Sequence, residues 1–263
     1  MRIYIDKDTI QKKGLLGRRL SMAGLIILGA GMLASFAPGM IQKWETSQPA
    51  LFQSPFIQWT YKGGWLYLSM AALIFGFILG QIGNHYMRRF LRPRRPDMVV
   101  AQALKGFDDR NRLYVWASPI DLVFAGPAGV FAITSRDIAG EIEIVNGSVK
   151  TPFSLRKILF FFGDESPGRP LDEAKSQAEK LTEWLTEELG KETPISVRPL
   201  VIFTNEKAKV TAKDADVPVI HAKQLKQFLK NKRQEKQITK SALLAVIQKL
   251  DEEAERRGVE ADV

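Results

Sequence analysis

The sequence predicts an α/β fold in which a two-helix transmembrane hairpin precedes a mixed-sheet domain and a C-terminal amphipathic helix. Three observations carry that expectation. Two long windows near the N-terminus lack Asp, Glu, Lys and Arg altogether. Short runs rich in β-branched and aromatic residues follow between residues 112 and 145, and amphipathic helical patterns alternate with buried-strand patterns after residue 170.

The first uncharged window holds the 23 residues between Arg19 and Lys43, and the second the 25 residues from Gly63 to Met87. Helices of that length reach about 35 Å, enough for a hydrocarbon core of about 30 Å. Both windows are apolar on every face, unlike the one-sided stripe of a helix that covers a soluble core. Ser35-Phe36-Ala37 resembles a signal-peptide cleavage site, but Pro38 follows it and disfavours cleavage.

Arg2, Lys7, Lys12, Lys13, Arg18 and Arg19 precede the first window, and Arg88, Arg89, Arg92, Arg94 and Arg95 follow the second. Both termini are therefore expected in the cytoplasm, at the cell membrane. The loop from Met40 to Lys62 is then extracytoplasmic, with Trp44, Trp59, Tyr61, Trp65 and Tyr67 suited to the membrane interface. Gly76-x-x-x-Gly80 and Ala30-x-x-x-Ala34 offer close helix approach, within the hairpin or between protomers of a homo-oligomer.

A net charge of +9 suggests a nucleic-acid partner until its distribution is followed along the chain. Residues 1–87 carry 8 basic against 3 acidic side chains and the arginine run adds five, whereas residues 96–263 hold 25 basic and 26 acidic ones. The excess belongs to the membrane flanks. Cysteine is absent and only His85 and His221 occur, which excludes disulfides, thiolate chemistry and a multi-histidine metal centre. A divalent metal would depend on carboxylates, and nothing points to haem or a nucleotide cofactor.

Beyond the arginines, DMVVAQALKGF predicts a short helix with Asp97 as its N-cap. Arg112–Ala117, Asp121–Ala125, Gly129–Thr134 and Glu141–Val145 predict an antiparallel meander, with Gly126-Pro127 and Asn146-Gly147 at turns. The segment from Lys157 to Arg169, with its ILFFF patch, has no assignable structure. A helix is expected from Leu171 to Leu189, strands at Val197–Phe203 and Val217–His221, a helix over Ala222–Leu229, and an amphipathic helix over Thr239–Arg257. The organisation expected is residues 1–19 as a cytoplasmic segment, 20–90 as the hairpin, 91–235 as the α/β domain and 236–263 as helix and tail.

From Asp97 to Leu229 the chain resembles the nuclease-related domain, NERD, of the restriction-endonuclease-like superfamily. IDLVFAGPAGVFAITSRDIAGEI carries most of the likeness, being similar to a pattern of Asp, hairpin, Gly-Val-Phe-x-Ile-Glu-x-Lys and Gly-x-Ile; RPLDEAKSQAEKL and PLVIFTN add to it. The resemblance implies a restriction-endonuclease-like fold and a nuclease centre in which carboxylates hold Mg²⁺ and a lysine stands near the attacking water. Asp121 falls on the pattern's aspartate, Thr134 on its second carboxylate, Arg136 on its lysine, Gln177 near its glutamine, and Asp97 where the first helix carries glutamate.

Metal ligation would thus fall to Asp121 and Asp97, and a degenerate centre used for binding or scaffolding is the expectation. The alternatives are an active Mg²⁺-dependent nuclease and an oligomerising membrane module with a regulatory domain. The run Lys223, Lys226, Lys230, Lys232, Arg233, Lys236 and Lys240 offers a basic strip for nucleic acid or anionic lipid, with the bilayer itself as the first partner.

Overall fold

A computed structural model describes the chain except residues 146–147, 151–167, 191–194, 213–214, 236–237 and 263. The Asn146-Gly147 turn, Lys236 and nearly all of the 157–169 segment therefore lie outside the described residues. The chain forms two compact units, Gln11–Arg92 and the union of Met1–Ile10 with Pro93–Val263.

Strand β1 (Arg2–Ile5) leads into helix α1 (Lys7–Ser35), whose first turn is capped by Asp6: the Thr9 N–H donates to Asp6 Oδ1 at 2.7 Å. Helices α2 (Ala37–Ser47), α3 (Pro49–Phe52) and α4 (Pro55–Trp59) and a π-helical turn (Thr60–Gly64) lead to α5 (Trp65–Phe90). The connection expected as a loop is thus mostly helical. Its turn into α5 uses Gly63, at φ 124°, a conformation that side chains strain to adopt, and Gly64, where an added methyl would meet the Trp59 ring at 2.4 Å.

Both α1 and the α4–α5 stretch are long and apolar enough to cross a membrane. Among the described residues every large apolar side chain that is exposed, such as Leu25 at 70% and Leu73 at 62%, lies between Leu15 and Leu91, apart from Met98 and Leu244. The helices touch along small residues. A methyl on Gly24 would fall 2.7 Å from the Gly76 carbonyl oxygen, one on Gly83 2.4 Å from the Ser21 nitrogen, and one on Gly31 2.5 Å from Ala72 Cβ. Gly17, Gly24 and Gly31 recur every seven residues, the period that keeps one stripe of a helix against a partner. Gly76 is consumed by this seam, and the Cβ direction of Gly80 is open.

The other unit is built on a seven-stranded mixed sheet. After α6 (Pro96–Ala103) come β2 (Arg112–Val115), β3 (Leu122–Gly126), β4 (Gly129–Arg136), β5 (Gly140–Val145), β6 (Ser148–Lys150) and α7 (Pro170–Leu189). Then follow β7 (Val197–Phe203), β8 (Ala208–Ala212), β9 (Val219–His221), a 3-10 turn (Ala222–Gln224), α8 (Leu225–Gln234), α9 (Lys240–Arg256) and β10 (Ala261–Asp262).

The strand order is β10-β1-β2-β3-β4-β7-β9, with β2, β3 and β4 antiparallel and β7 parallel to β4. Two corrections to the expected meander follow. The strand β1, too short and too close to a basic segment to stand out, is inserted parallel to β2, and β5 leaves the meander to form a separate sheet with β6 and β8. The cause of the second is visible at Gly140, whose φ of 96° redirects the chain after β4.

Alternation along β4 decides what covers each face. Val130 and Ala132 share a buried cluster with Ala178, Leu181 and Leu185 of α7 and Val246 and Leu250 of α9. Phe131 points the other way and meets Phe228 of α8 at 5.9 Å between ring centroids. Helix α6 packs with α8 and β4, so α6 and α8 cover one face and α7 and α9 the other.

Candidate functional site

The β3–β4 hairpin pairs Val123 with Ala132 and Gly126 with Gly129. Continuing that register by two residues sets Asp121 opposite Thr134, the juxtaposition expected from the sequence. Thr134 and Arg136 extend the face of β4 that α7 covers, since side chains two apart on a strand point the same way. Arg136 is 7% exposed and is ion-paired with Glu173 in the first turn of α7; Gln177 follows one turn later on the same helix. These five residues therefore belong to one face of the sheet.

Asp97 does not join them. It starts α6 on the opposite face, and it is not the N-cap: Arg95 occupies that position, with Pro96 first in the helix. A proline needs no amide partner there, so the chain enters the helix two residues earlier than the Asp signal suggests. The Asp97 Oδ1 accepts from the Met98 N–H at 2.9 Å and from Arg95 Nε at 3.2 Å, while Oδ2 is buried without a partner. Burial holds the Asp97 carboxyl above the usual carboxylate range, opposed by the Arg95 charge.

Two more orphaned atoms mark the other face. Thr134 Oγ1 and Gln177 Oε1 are both buried without a hydrogen-bond partner among the described residues. Buried polar atoms are rarely left unsatisfied, and these two belong, with the Arg136–Glu173 pair, to the layer between β4 and α7. Asp137 Oδ1 accepts from Asn205 Nδ2 at 2.8 Å, and the Arg136 carbonyl accepts from the Thr204 N–H at 2.9 Å, which ties the end of β4 to the end of β7.

Sequence inspection missed Glu173 and Trp116. Glu173 sits in an ordinary acidic first helical turn, and only the fold aims it at Arg136. Trp116 has φ 60°, uncommon for a bulky residue, and its N–H donates to the Asp121 carbonyl at 2.8 Å. That strained turn fixes the backbone at Asp121. Among the described residues no three of Asp, Glu and His converge as a metal-holding group.

On the opposite face Lys223, Lys230 and Arg233 are exposed, Lys226 donates to the Lys105 carbonyl at 3.1 Å, and Lys232 is drawn aside to Glu235 at 2.7 Å. Phe228, the only aromatic within the basic run, is turned inward onto Phe131. No family model, no curated protein and no solved structure matches this chain.

Proposed function

We propose that this chain is a membrane-anchored protein whose α/β domain serves as a binding or scaffolding module at the cytoplasmic face, on a NERD-like nuclease fold whose catalytic centre has degenerated. The observation that carries it is the Arg136–Glu173 pair beside Thr134. The position a nuclease needs for a lysine holds an arginine that cannot deprotonate near neutrality, and the carboxylate nearest to it is neutralised by that same arginine. Thr134 offers only a neutral hydroxyl, and Asp97 belongs to the other face. That donor set fits Mg²⁺ poorly, because the ion favours carboxylates and water in octahedral array.

The anchoring half of the proposal is supported by β1. Pairing of Arg2–Ile5 with Arg112–Val115 closes one sheet across the whole Gln11–Arg92 segment. If that segment spans the bilayer, both of its ends must emerge on the same side, and the basic flanks favour the cytoplasm.

Two experiments test the two halves. The full chain, incubated with nucleic acid and Mg²⁺ or Mn²⁺, is expected to leave it intact; chelator-sensitive cleavage that is lost in Asp121→Ala would establish the active nuclease instead. Because the chain contains no native cysteine, single cysteines at Ser47 and Ser241 report topology. In intact cells the first is expected to react with an impermeant thiol reagent and the second to resist it, and the reverse pattern would overturn the orientation.

A further inference from the structure

From Val217 to Gln234 there is no acidic residue, and Lys223, Lys226, Lys230 and Arg233 are spaced three, four and three apart. Lys226, Lys230 and Arg233 lie on α8, where 100° per residue gathers them into a sector of about 60° along about 10 Å of axis, and Lys223 stands in the 3-10 turn just before it. The bond from Lys226 Nζ to the Lys105 carbonyl brings the exposed Lys105 alongside. Arg233 also lies close enough to act on Asp108, a carboxylate already held by Arg110. The strip is a surface of concentrated positive charge on a domain whose net charge, strip included, is close to zero.

Its chemistry selects among polyanions. Single-stranded nucleic acid is held by cations interleaved with rings on which bases stack. Here Phe228 is packed on Phe131, and Phe107, under the Lys226 ammonium at 5.9 Å, is packed edge-on against Phe124. The rings beside the strip are half-buried and packed against core phenylalanines, which leaves a surface dominated by charge and suited to phosphate and carboxylate headgroups. Helix α6, against which α8 packs, begins at Pro96, directly after the arginine run that ends the α5 segment. On the membrane-anchored reading proposed above, that short tether keeps the local concentration of lipid headgroups high. We propose that the Lys223–Arg233 strip docks the domain on anionic lipid of the cytoplasmic leaflet.

The test uses the full chain reconstituted in vesicles of phosphatidylcholine alone or with about 30% phosphatidylserine. A spin label on Gln227→Cys, exposed beside the strip, reports access of a water-soluble relaxing agent; a label on Glu255→Cys of α9, on the other side of the sheet, is the control. Phosphatidylserine is expected to lower access at Gln227 several-fold and leave the control unchanged. Raising salt to about 0.5 M shortens the screening length to roughly 4 Å and is expected to restore access without any substitution. Lys223→Glu, Lys230→Glu and Arg233→Glu together are expected to do the same, each cation contributing about fivefold.

Equal access in both vesicles, with the chain resistant to carbonate extraction, overturns docking and leaves the anchored reading intact. A chain that carbonate extracts overturns the anchored reading and docking with it. Protection at Gln227 by an added oligonucleotide in phosphatidylcholine vesicles, with none from phosphatidylserine, overturns docking in favour of a nucleic-acid partner.

Discussion

Arg136 on β4 and Glu173 on α7 form an ion pair that joins the sheet to the helix covering it, with the arginine side chain 9% and the glutamate 32% exposed. Removing the glutamate leaves a guanidinium in an apolar layer. Because Glu173 keeps contact with water, Glu173→Ala is expected to cost about 2 kcal/mol, below the 3–5 typical of a fully buried pair. Thermal unfolding of the detergent-solubilised chain measures it. A Tm equal to wild type would mean that water already screens the arginine.

The same pair makes a chemical prediction. Thr134→Glu with Arg136→Lys places a carboxylate and a titratable amine on the face that carries Asp121, and Glu173→Gln added to them releases the lysine from its partner. If the centre is degenerate rather than merely unoccupied by metal, chelator-sensitive nuclease activity is expected in these combined variants and not in the wild type. Activity in the wild type that the substitutions abolish would show that the native residues are the working set.

In the hairpin the glycines are not equivalent. Gly24→Leu and Gly83→Leu drive side chains into the backbone of the facing helix and are expected to cost about 2 kcal/mol or more, as overpacking does. Gly80→Ala meets nothing within 4 Å and is expected to be neutral or to stabilise by up to about 1 kcal/mol through helix propensity. Equal effects at Gly24 and Gly80 would mean that the seam does not hold the hairpin together.

Much of this arrangement was legible in the sequence, and what was not has physical causes. The two uncharged windows, the α7 stripe from Leu171 to Leu185 and the β3–β4 hairpin are strong local periodicities, and local periodicity is what a single sequence displays. The register that sets Asp121 opposite Thr134 follows from the Gly126–Gly129 turn. The strand β1 was hidden because four residues beside a basic helix carry too short a pattern, and its pairing with β2 depends on chain more than 100 residues away. The position of Asp97 was misjudged for a different reason: an N-cap signal and a proline at the first helical position compete within two residues. The pairing of Arg136 with Glu173 could not be read at all, since ion pairs between elements are set by tertiary packing.

Asp97 also yields a pH prediction. Its carboxyl holds the proton more tightly when folded than when unfolded, because burial outweighs the Arg95 charge. The stability this contributes is therefore present below the ordinary carboxylate range and is lost as pH rises through the raised folded value. Asp97→Asn, which cannot ionise, is expected to match wild type near pH 3.5 and to gain about 2–4 °C in Tm by pH 7. A variant less stable at pH 7 would show that the Arg95–Asp97 pair outweighs the burial of the charge.

The last prediction concerns which piece of the chain is a folding unit. Tyr4 of β1 is 6% exposed and stacks on Tyr114 of β2, with ring centroids 5.0 Å apart and planes 12° from parallel. The Tyr114 hydroxyl in turn donates to Asp251 of α9 at 2.6 Å, so β1 supports the contact between the sheet and its C-terminal helix. Without Arg2–Ile5, β2 becomes a bare edge, β10 loses its partner and the apolar face of Tyr114 meets water. Residues 93–263 alone are therefore expected to unfold without a sharp transition, whereas a fusion joining residues 1–10 to 93–263 through a flexible linker is expected to melt cooperatively. In the full chain Tyr4→Ala is expected to cost about 3 kcal/mol, the loss usual for a buried aromatic. Identical melting of the fusion and the shorter fragment would show β1 to be dispensable, and it would remove the reason for both ends of the Gln11–Arg92 segment to emerge on one side of a membrane. Cooperative melting of the fusion alone would make the strand before the first apolar helix part of the domain that follows the second, so that activity or binding measured on residues 93–263 would report on an incomplete sheet.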